Sequence, residues 1–269
     1  MNTVELNHID LNSIGLNSKV INGIGKSHGG KVKPYIKGHV TDGSSTFTFK
    51  VNTDEYVTVP VDANGDWKWV VDRTITSLFR MLCPSTTTYA DNIDDLVINA
   101  NLESCTNFGV AIALTPLTKV VVKNQTAELT DISYFAQDCK DLKEFIAPFL
   151  VLGNRSNIGR MFLRCSKLEV VDLRSAEINT VGADSMFMNC EKLKTINVKA
   201  IKANFKLTWS PLLTEQSVVN LFNAVTADGI TLTFHPTVFA MIEQQLEIED
   251  SPIYEAYWNS EYDFNYASA

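Results

Sequence analysis

Ile158-Gly159-Arg160-Met161-Phe162-Leu163-Arg164-Cys165-Ser166-Lys167-Leu168-Glu169-Val170-Val171-Asp172-Leu173 is the stretch whose reading decides the fold. Its second half has the pattern Leu-x-x-Val-x-Leu, which turns Leu168, Val171 and Leu173 to one side of a strand and the residues between them to the other. Its first half spaces Ile158, Met161, Phe162 and Cys165 at i, i+3, i+4 and i+7, which fits the inward face of a short helix. The phrase recurs on both sides. Ile132-Ser133-Tyr134-Phe135-Ala136-Gln137-Asp138-Cys139 precedes it and Ala183-Asp184-Ser185-Met186-Phe187-Met188-Asn189-Cys190 follows it. Each cysteine is followed three residues later by a leucine (Leu142, Leu168, Leu193). Two alternating apolar positions come next: Phe145/Ala147, Val171/Leu173 and Ile196/Val198. The cysteines recur after 26 and 25 residues. Such a period marks a solenoid, because one unit cannot bury its own hydrophobic face and is stable only against the units stacked on it.

Fainter copies extend the pattern backward. Leu117, Val120 and Val122 stand 25 residues before Leu142, Phe145 and Ala147, and Ile93, Leu96 and Ile98 stand 24 before those. About five coils are therefore expected over residues 75–207. The Met-Phe-x-x-Cys-x-x-Leu-x-x-Val-Asp-Leu phrase from Met161 to Leu173 resembles the leucine-rich repeats of bacterial surface antigens, abundant in Bacteroides-type bacteria and their phages. Ala136 departs from that pattern, and the adjacent Phe135 is expected to fill the space of the missing phenylalanine.

Ahead of the coils, Leu6-Asn7, Leu11-Asn12, Leu16-Asn17 and Ile21-Asn22 repeat every five residues and run into the hinge-like Gly25 to Gly30. The paired apolar and amide steps are read as a docking arm, with apolar anchors and amides that satisfy a partner's backbone; an edge strand folded back on its own protein is the alternative. The tract is similar to the opening of phage-encoded repeat proteins of gut Bacteroidales. From Lys33 the pattern turns to strands: Tyr35 to Val40, Thr46 to Val51, Tyr56 to Val59 and Trp67 to Val71 are rich in β-branched and aromatic residues. Asn64-Gly65 between the last two is a hairpin signal. Asp62, Asn64 and Asp66 imitate the start of a calcium loop, but Arg73 stands where its bidentate glutamate belongs, so a turn is expected. The four strands resemble the immunoglobulin-like modules of bacterial and phage surface proteins. Trp67 and Trp69 fall on one face and are read as core.

After the coils, Trp209-Ser210-Pro211 breaks the repeat. Thr214 is the expected N-cap of a helix carrying Val218, Leu221, Phe222 and Val225 and closed by Gly229. A strand at Ile230, Leu232 and Phe234 follows. A helix opened by Pro236 and a last short helix after Ser251-Pro252 complete a C-terminal cap. Tyr254, Tyr257, Trp258 and Tyr262 are candidates for surface recognition, with folding back on the cap as the alternative. The expected fold is thus mixed α/β: a docking arm (1–30), a small antiparallel β module (31–73), a leucine-rich-repeat solenoid (74–208) and a helical cap (209–269).

Composition is that of an ordinary soluble domain, with a net charge of −8 from 23 basic and 31 acidic residues. The charge is uneven, since nine acids and no Lys or Arg follow Lys206. No concentrated basic footprint is present, which excludes non-specific nucleic-acid binding. The opening Met1-Asn2-Thr3-Val4-Glu5-Leu6 lacks the basic and apolar regions of a secretory signal, and no apolar run approaches 18 residues, so neither a leader nor membrane insertion is expected. Five cysteines, none in a Cys-x-x-Cys pair, are read as small buried side chains stacked coil on coil. His8, His28, His39 and His235 are scattered, and no nucleophile elbow or phosphate-cradling loop appears. No enzyme activity, cofactor or metal is expected.

The function expected from these readings and resemblances is a non-enzymatic phage virion protein, a head or tail fibre or capsid decoration. Its arm would dock on other virion proteins or on a second copy, and its repeat surface would meet a host protein or glycan. A bacterial cell-surface adhesin and an intracellular interaction scaffold are the alternatives. The expected location is the virion, made in the bacterial host cytoplasm.

Overall fold

A computed structural model describes residues 33–52, 55–83, 88–100, 104–123, 128–179 and 182–269. The docking-arm residues Leu6, Asn7, Leu11, Asn12, Leu16, Asn17, Ile21 and Asn22 lie outside them. The unit Pro34–Ala269 is a β-solenoid of about five turns, built mostly of sheet with three helices among the described residues.

One side of every coil is a strand. β5 (Ile93–Asn99), β6 (Lys119–Lys123), β8 (Glu144–Ile146), β10 (Val170–Ile178) and β11 (Thr195–Ile201) stack in parallel. Their register places Leu96, Val120, Phe145, Val171 and Ile196 in one row. All five are fully buried, each contributing about 1.5–3 kcal/mol by leaving water. A corner precedes β6, β8, β10, β11 and the helix that follows them, where the N–H groups of Thr118, Lys143, Glu169, Lys194 and Thr214 bond to the carbonyls of Asp94, Thr118, Lys143, Glu169 and Lys194 one coil earlier, at 2.8–3.1 Å. A further short parallel pair, β7 (Glu128–Asp131) and β9 (Val151–Asn157), leads into the opposite side.

That opposite side is not helical, which corrects the expectation from the i, i+3, i+4, i+7 spacing. Apart from one 3-10 turn at Ala183–Ser185, the chain runs as tandem turns. Alternate N–H groups do different jobs. Phe135, Gln137 and Cys139 bond back three residues, whereas Ile132, Tyr134, Ala136 and Asp138 bond to Asn157, Gly159, Met161 and Leu163 of the next coil. A helix would consume every N–H within its own segment and leave adjacent coils unbonded here. A side-chain cap opens the turns: Ser77, Asn107, Asp131 and Asn157 each accept the N–H two residues on, at 2.8–3.3 Å. The inward positions are nevertheless those the spacing named, since Ile132, Cys139, Ile158, Met161, Phe162, Cys165, Met186, Phe187 and Cys190 are all buried.

Between the two sides runs a continuous column of rings, Phe108–Phe135–Phe145–Phe162–Phe187–Phe205, with successive centroids 6.1, 5.4, 5.1, 5.4 and 6.0 Å apart. Phe135, beside Ala136, is buried and joins the column, but it reaches Phe162 through the strand residue Phe145, whereas Phe162 and Phe187 meet directly. The cysteines stack as well, but with a polar function beyond filling space. The thiols of Cys139, Cys165 and Cys190 donate to the carbonyls of Ile112, Ala136 and Phe162 in the coil before, at 2.9–3.0 Å. Thr115 and Ser210 continue the ladder at its two ends.

At the N-terminal end, β1 (Tyr35–Val40) pairs antiparallel with both β5 and β4 (Asp66–Val70), extending the coil sheet to seven strands. β2 (Thr46–Val51) and β3 (Glu55–Pro60) form a separate hairpin. This hairpin caps the turn side, with Lys50 N–H on Met81 O and Asn52 N–H on Ser77 O. Asn64-Gly65 makes a turn, Gly65 at φ 87° with its N–H on Asp62 O. It does not close a hairpin, however, because it passes the chain from β3 in one sheet to β4 in the other, with only a Val61–Trp67 bridge between them. Phe47 and Phe49 from one pair stack on Trp67 and Trp69 from the other at 4.7–5.6 Å. Both tryptophans are core. Residue 38 has to be glycine here, since a Cβ would sit 2.5 Å from the Asp95 carbonyl oxygen and 2.8 Å from the Trp67 ring.

At the C-terminal end, α1 (Glu215–Asn223), capped by Thr214, covers the last coil strand. Ser217 Oγ accepts the Ile196 N–H and Asn220 donates to the Asn197 side chain. The helix stops at Asn223 and not near Gly229, and Val225 then bridges Ile201. α2 (Pro236–Leu246), capped by His235, and α3 (Pro252–Trp258), capped by Ser251, follow. On the turn side, β12 (Phe205–Leu207) lies against the 3-10 turn and is followed by β13 (Thr231–Phe234) and a strand not foreseen, β14 (Asn265–Ser268), all parallel.

Candidate interaction surface

The outward side chains of the coil sheet also fall in rows. The central row is Lys37–Val97–Val121–Ile146–Asp172–Asn197, each residue registered with the next. Val97 and Ile146 are only 9% and 8% exposed. The apolar centre is bordered by charge. In the adjacent row, Asp95–Lys119–Glu144, Lys119 meets Glu144 at 2.5 Å, and in the central row Asp172 is gripped by Arg174. The coil period places opposite charges above one another: Arg164–Asp138, Lys167–Asp141 and Lys194–Glu169 join consecutive coils at 2.6–2.8 Å. The Arg164 guanidinium forks onto both oxygens of Asp138 and holds that carboxyl below its usual range. Lys199 and Lys202 together pull Glu177 down to about 2. Arg160 lies over the Tyr134 ring and donates to its hydroxyl at 2.8 Å.

Where β4, β1 and β5 meet, a cavity of about 260 Å³ is lined by Lys37, Lys68, Asp62, Asp66 and Asp95. Burial raises the Asp95 carboxyl above its usual value, and its Oδ1 has no hydrogen-bond partner. Asp62 Oδ1 accepts the Asn64 and Asp66 N–H groups at 2.8 and 3.0 Å, so this carboxylate holds the turn. Beside it His39 Nδ1 meets Asp94 at 2.7 Å and Nε2 meets the Asn64 carbonyl at 2.9 Å. Both partners accept, so the doubly protonated ring satisfies both contacts and the His39 pKa is raised, chiefly by the Asp94 hydrogen bond. His235 instead caps α2, its Nδ1 accepting the Thr237 N–H.

The sequence-predicted aromatics divide. Tyr257 belongs to the cap interior, its ring 5.2–5.7 Å from Phe222, Phe264 and Tyr266. Tyr262 is half-buried against the same core. Trp258 is 63% exposed, and Tyr254 packs beside it at 6.2 Å. The alternating residues of the central row were not singled out from the sequence, although the strand periodicity that faces Val171 inward also faces Asp172 outward. The stacked thiols are held neutral by burial, Cys139 pushed up to about 11 and Cys190 to about 12, which suits a hydrogen-bond donor and not a nucleophile. Among the described residues no group of three His, Cys, Asp or Glu is arranged to hold a metal ion. None of their helices is long and apolar enough to cross a membrane. Comparison with family models, curated proteins and solved structures gives no match for this chain.

Proposed function

We propose that the chain is a non-enzymatic recognition protein of the leucine-rich-repeat kind, presenting the outer face of its coil sheet to a macromolecular partner. The observation that carries this reading is the registered outer row from Lys37 to Asn197, an apolar centre edged by paired charges on a stack of hydrogen-bonded coils. A rigid, flat array of that composition suits a protein or glycan surface. Within this reading the chain is a phage virion component, a fibre or decoration protein held on the particle by residues 1–30, with an immunoglobulin-like pairing of β1–β4 and β2–β3 behind the arm. That assignment draws its support from the resemblance of the Met161–Leu173 phrase and of the Leu-Asn opening to phage and bacterial surface repeats.

Two experiments separate the levels of the proposal. Deleting residues 1–30 is expected to abolish incorporation into assembled particles, measured by mass spectrometry of purified virions. Unchanged incorporation removes the virion reading. Replacing Val121 with Glu, which leaves the inward row untouched, is expected to reduce host-cell or glycan-array binding by about tenfold. Unchanged binding removes the sheet face as the recognition surface.

A further inference from the structure

The turn side begins with the β2–β3 hairpin and ends with the three-stranded sheet β12–β13–β14, and among the described residues the outer edges of these two sheets are treated differently. At the N-terminal end β3 is outermost. The bond from Val61 N–H to Ser45 O sets the register so that the backbone groups of Tyr56, Thr58 and Pro60 point away from β2. Pro60 has no N–H to offer there. The neighbouring edge strand β4 carries Lys68 at its outward position. Proline and lysine on an edge both discourage strand addition.

Among the described residues no such guard stands at the other end. β14 is the last strand of its sheet. The bonds Asn265 N–H to Ile230 O and Ala269 N–H to Phe234 O turn the odd residues toward β13, so the N–H and C=O groups of Tyr266 and Ser268 point outward. The strand itself, Asn265-Tyr266-Ala267-Ser268, carries no charge and no proline. An exposed aromatic stands close by: the Trp258 ring is 5.1 Å from Tyr257, which is 5.2 Å from Tyr266. The charged residues next to this strand in the chain are acidic, and the one basic residue of its sheet, Lys206, lies two strands away on β12. Glu243 accepts the Tyr266 hydroxyl, Glu261 and Asp263 are exposed just before the strand, and no Lys or Arg follows Lys206.

We propose that the outer edge of β14 takes up, by strand addition, an extended lysine- or arginine-bearing segment of a partner protein, with Trp258 as the platform for one of its cations. Two acidic caps repel each other, so a second copy is the poorer occupant, whereas a basic strand gains main-chain bonds and charge complementarity together. The inference does not depend on the virion reading or on the outer face of the coil sheet.

The test is fluorescence anisotropy of the full chain with a labelled octapeptide alternating lysine with valine or threonine. A glutamate counterpart and a version N-methylated at alternate residues serve as comparisons. The lysine peptide is expected to bind saturably and the glutamate peptide not at all. N-methylation is expected to weaken binding by about tenfold or more, as is Ser268→Pro, which removes an outward N–H at an exposed position; Trp258→Ala is expected to weaken it several-fold. The N-methyl comparison uses the unaltered chain, so it decides even where Ser268→Pro fails to fold. Equal binding of the methylated and unmethylated peptides would mean general attraction to an acidic surface and would overturn the proposal, as would no binding. Sedimentation showing a dimer that Ser268→Pro dissolves would assign the edge to a second copy and also overturn it.

Discussion

On the strand side of each coil, backbone groups reach the next coil through an ordinary parallel ladder with extended dihedrals. On the turn side the same task falls to a chain that folds back every three residues, and left-handed residues recur along it. Arg80, Val110, Leu114, Tyr134, Asp138, Arg160, Arg164 and Asn189 all have φ between 53° and 62°. A non-glycine residue in that region costs about 1–2 kcal/mol. The compensation is visible in the hydrogen bonds. The N–H groups of Arg80, Val110, Leu114, Tyr134, Asp138 and Arg164 each bond to the following coil, at 2.8–3.3 Å. The difference teaches that the turn side is stabilised by its neighbours and strained in itself, whereas the strand side is comfortable in both respects.

Substitutions can break that comparison. The largest effect is expected where the sides meet. Phe162→Ala removes a ring in contact with both Phe145 and Phe187, and denaturant unfolding is expected to show a loss of about 3–5 kcal/mol. Gly38→Ala should cost about 1–3 kcal/mol, because the added methyl meets the Asp95 carbonyl on a strand that cannot give way. The same replacement on each side should then differ in sign. Val121→Gly on the strand side is expected to lose about 1 kcal/mol. Leu114→Gly, at φ 62° with its side chain 58% exposed, is expected to gain up to about 1 kcal/mol. A shared destabilisation by calorimetry would mean that the left-handed residues carry no strain.

The smallest effects are electrostatic and sit at different ends of the pH scale. The His39 pKa is raised in the folded chain, so its contribution is fully present below about 6.5 and is lost as pH rises through the folded value. His39→Gln should flatten that alkaline slope. Glu177 is depressed to about 2, so its contribution is present above about 4.5 and is lost as pH falls toward 2. Glu177→Gln should flatten the acid slope and leave the neutral-to-alkaline one unchanged. Melting temperatures across pH, compared with the parent chain, check both.

How far the sequence could be read varied from element to element for physical reasons. Cys139, Cys165 and Cys190 were legible as a stack because burial of a small side chain repeats with the coil. Their thiol bonds were not, since each acceptor carbonyl lies 27–29 residues away. β14 escaped notice because Asn265-Tyr266-Ala267-Ser268 is only four residues long, has no fully buried position, and reads equally well as tail. Trp258 was picked out by composition alone, and only the packing of Tyr257 against Phe222 separated the exposed ring from the buried one.

By itself, then, the order of residues determined the coil period and the inward positions on both sides, because which side chains leave water is a matter of their own chemistry. Tertiary structure decided the backbone of the turn side, the passage of Asn64-Gly65 between sheets and the free edge of β14. Each of those depends on where an N–H finds its acceptor, and in a stack of coils that acceptor is in the neighbouring turn, outside the reach of any local pattern.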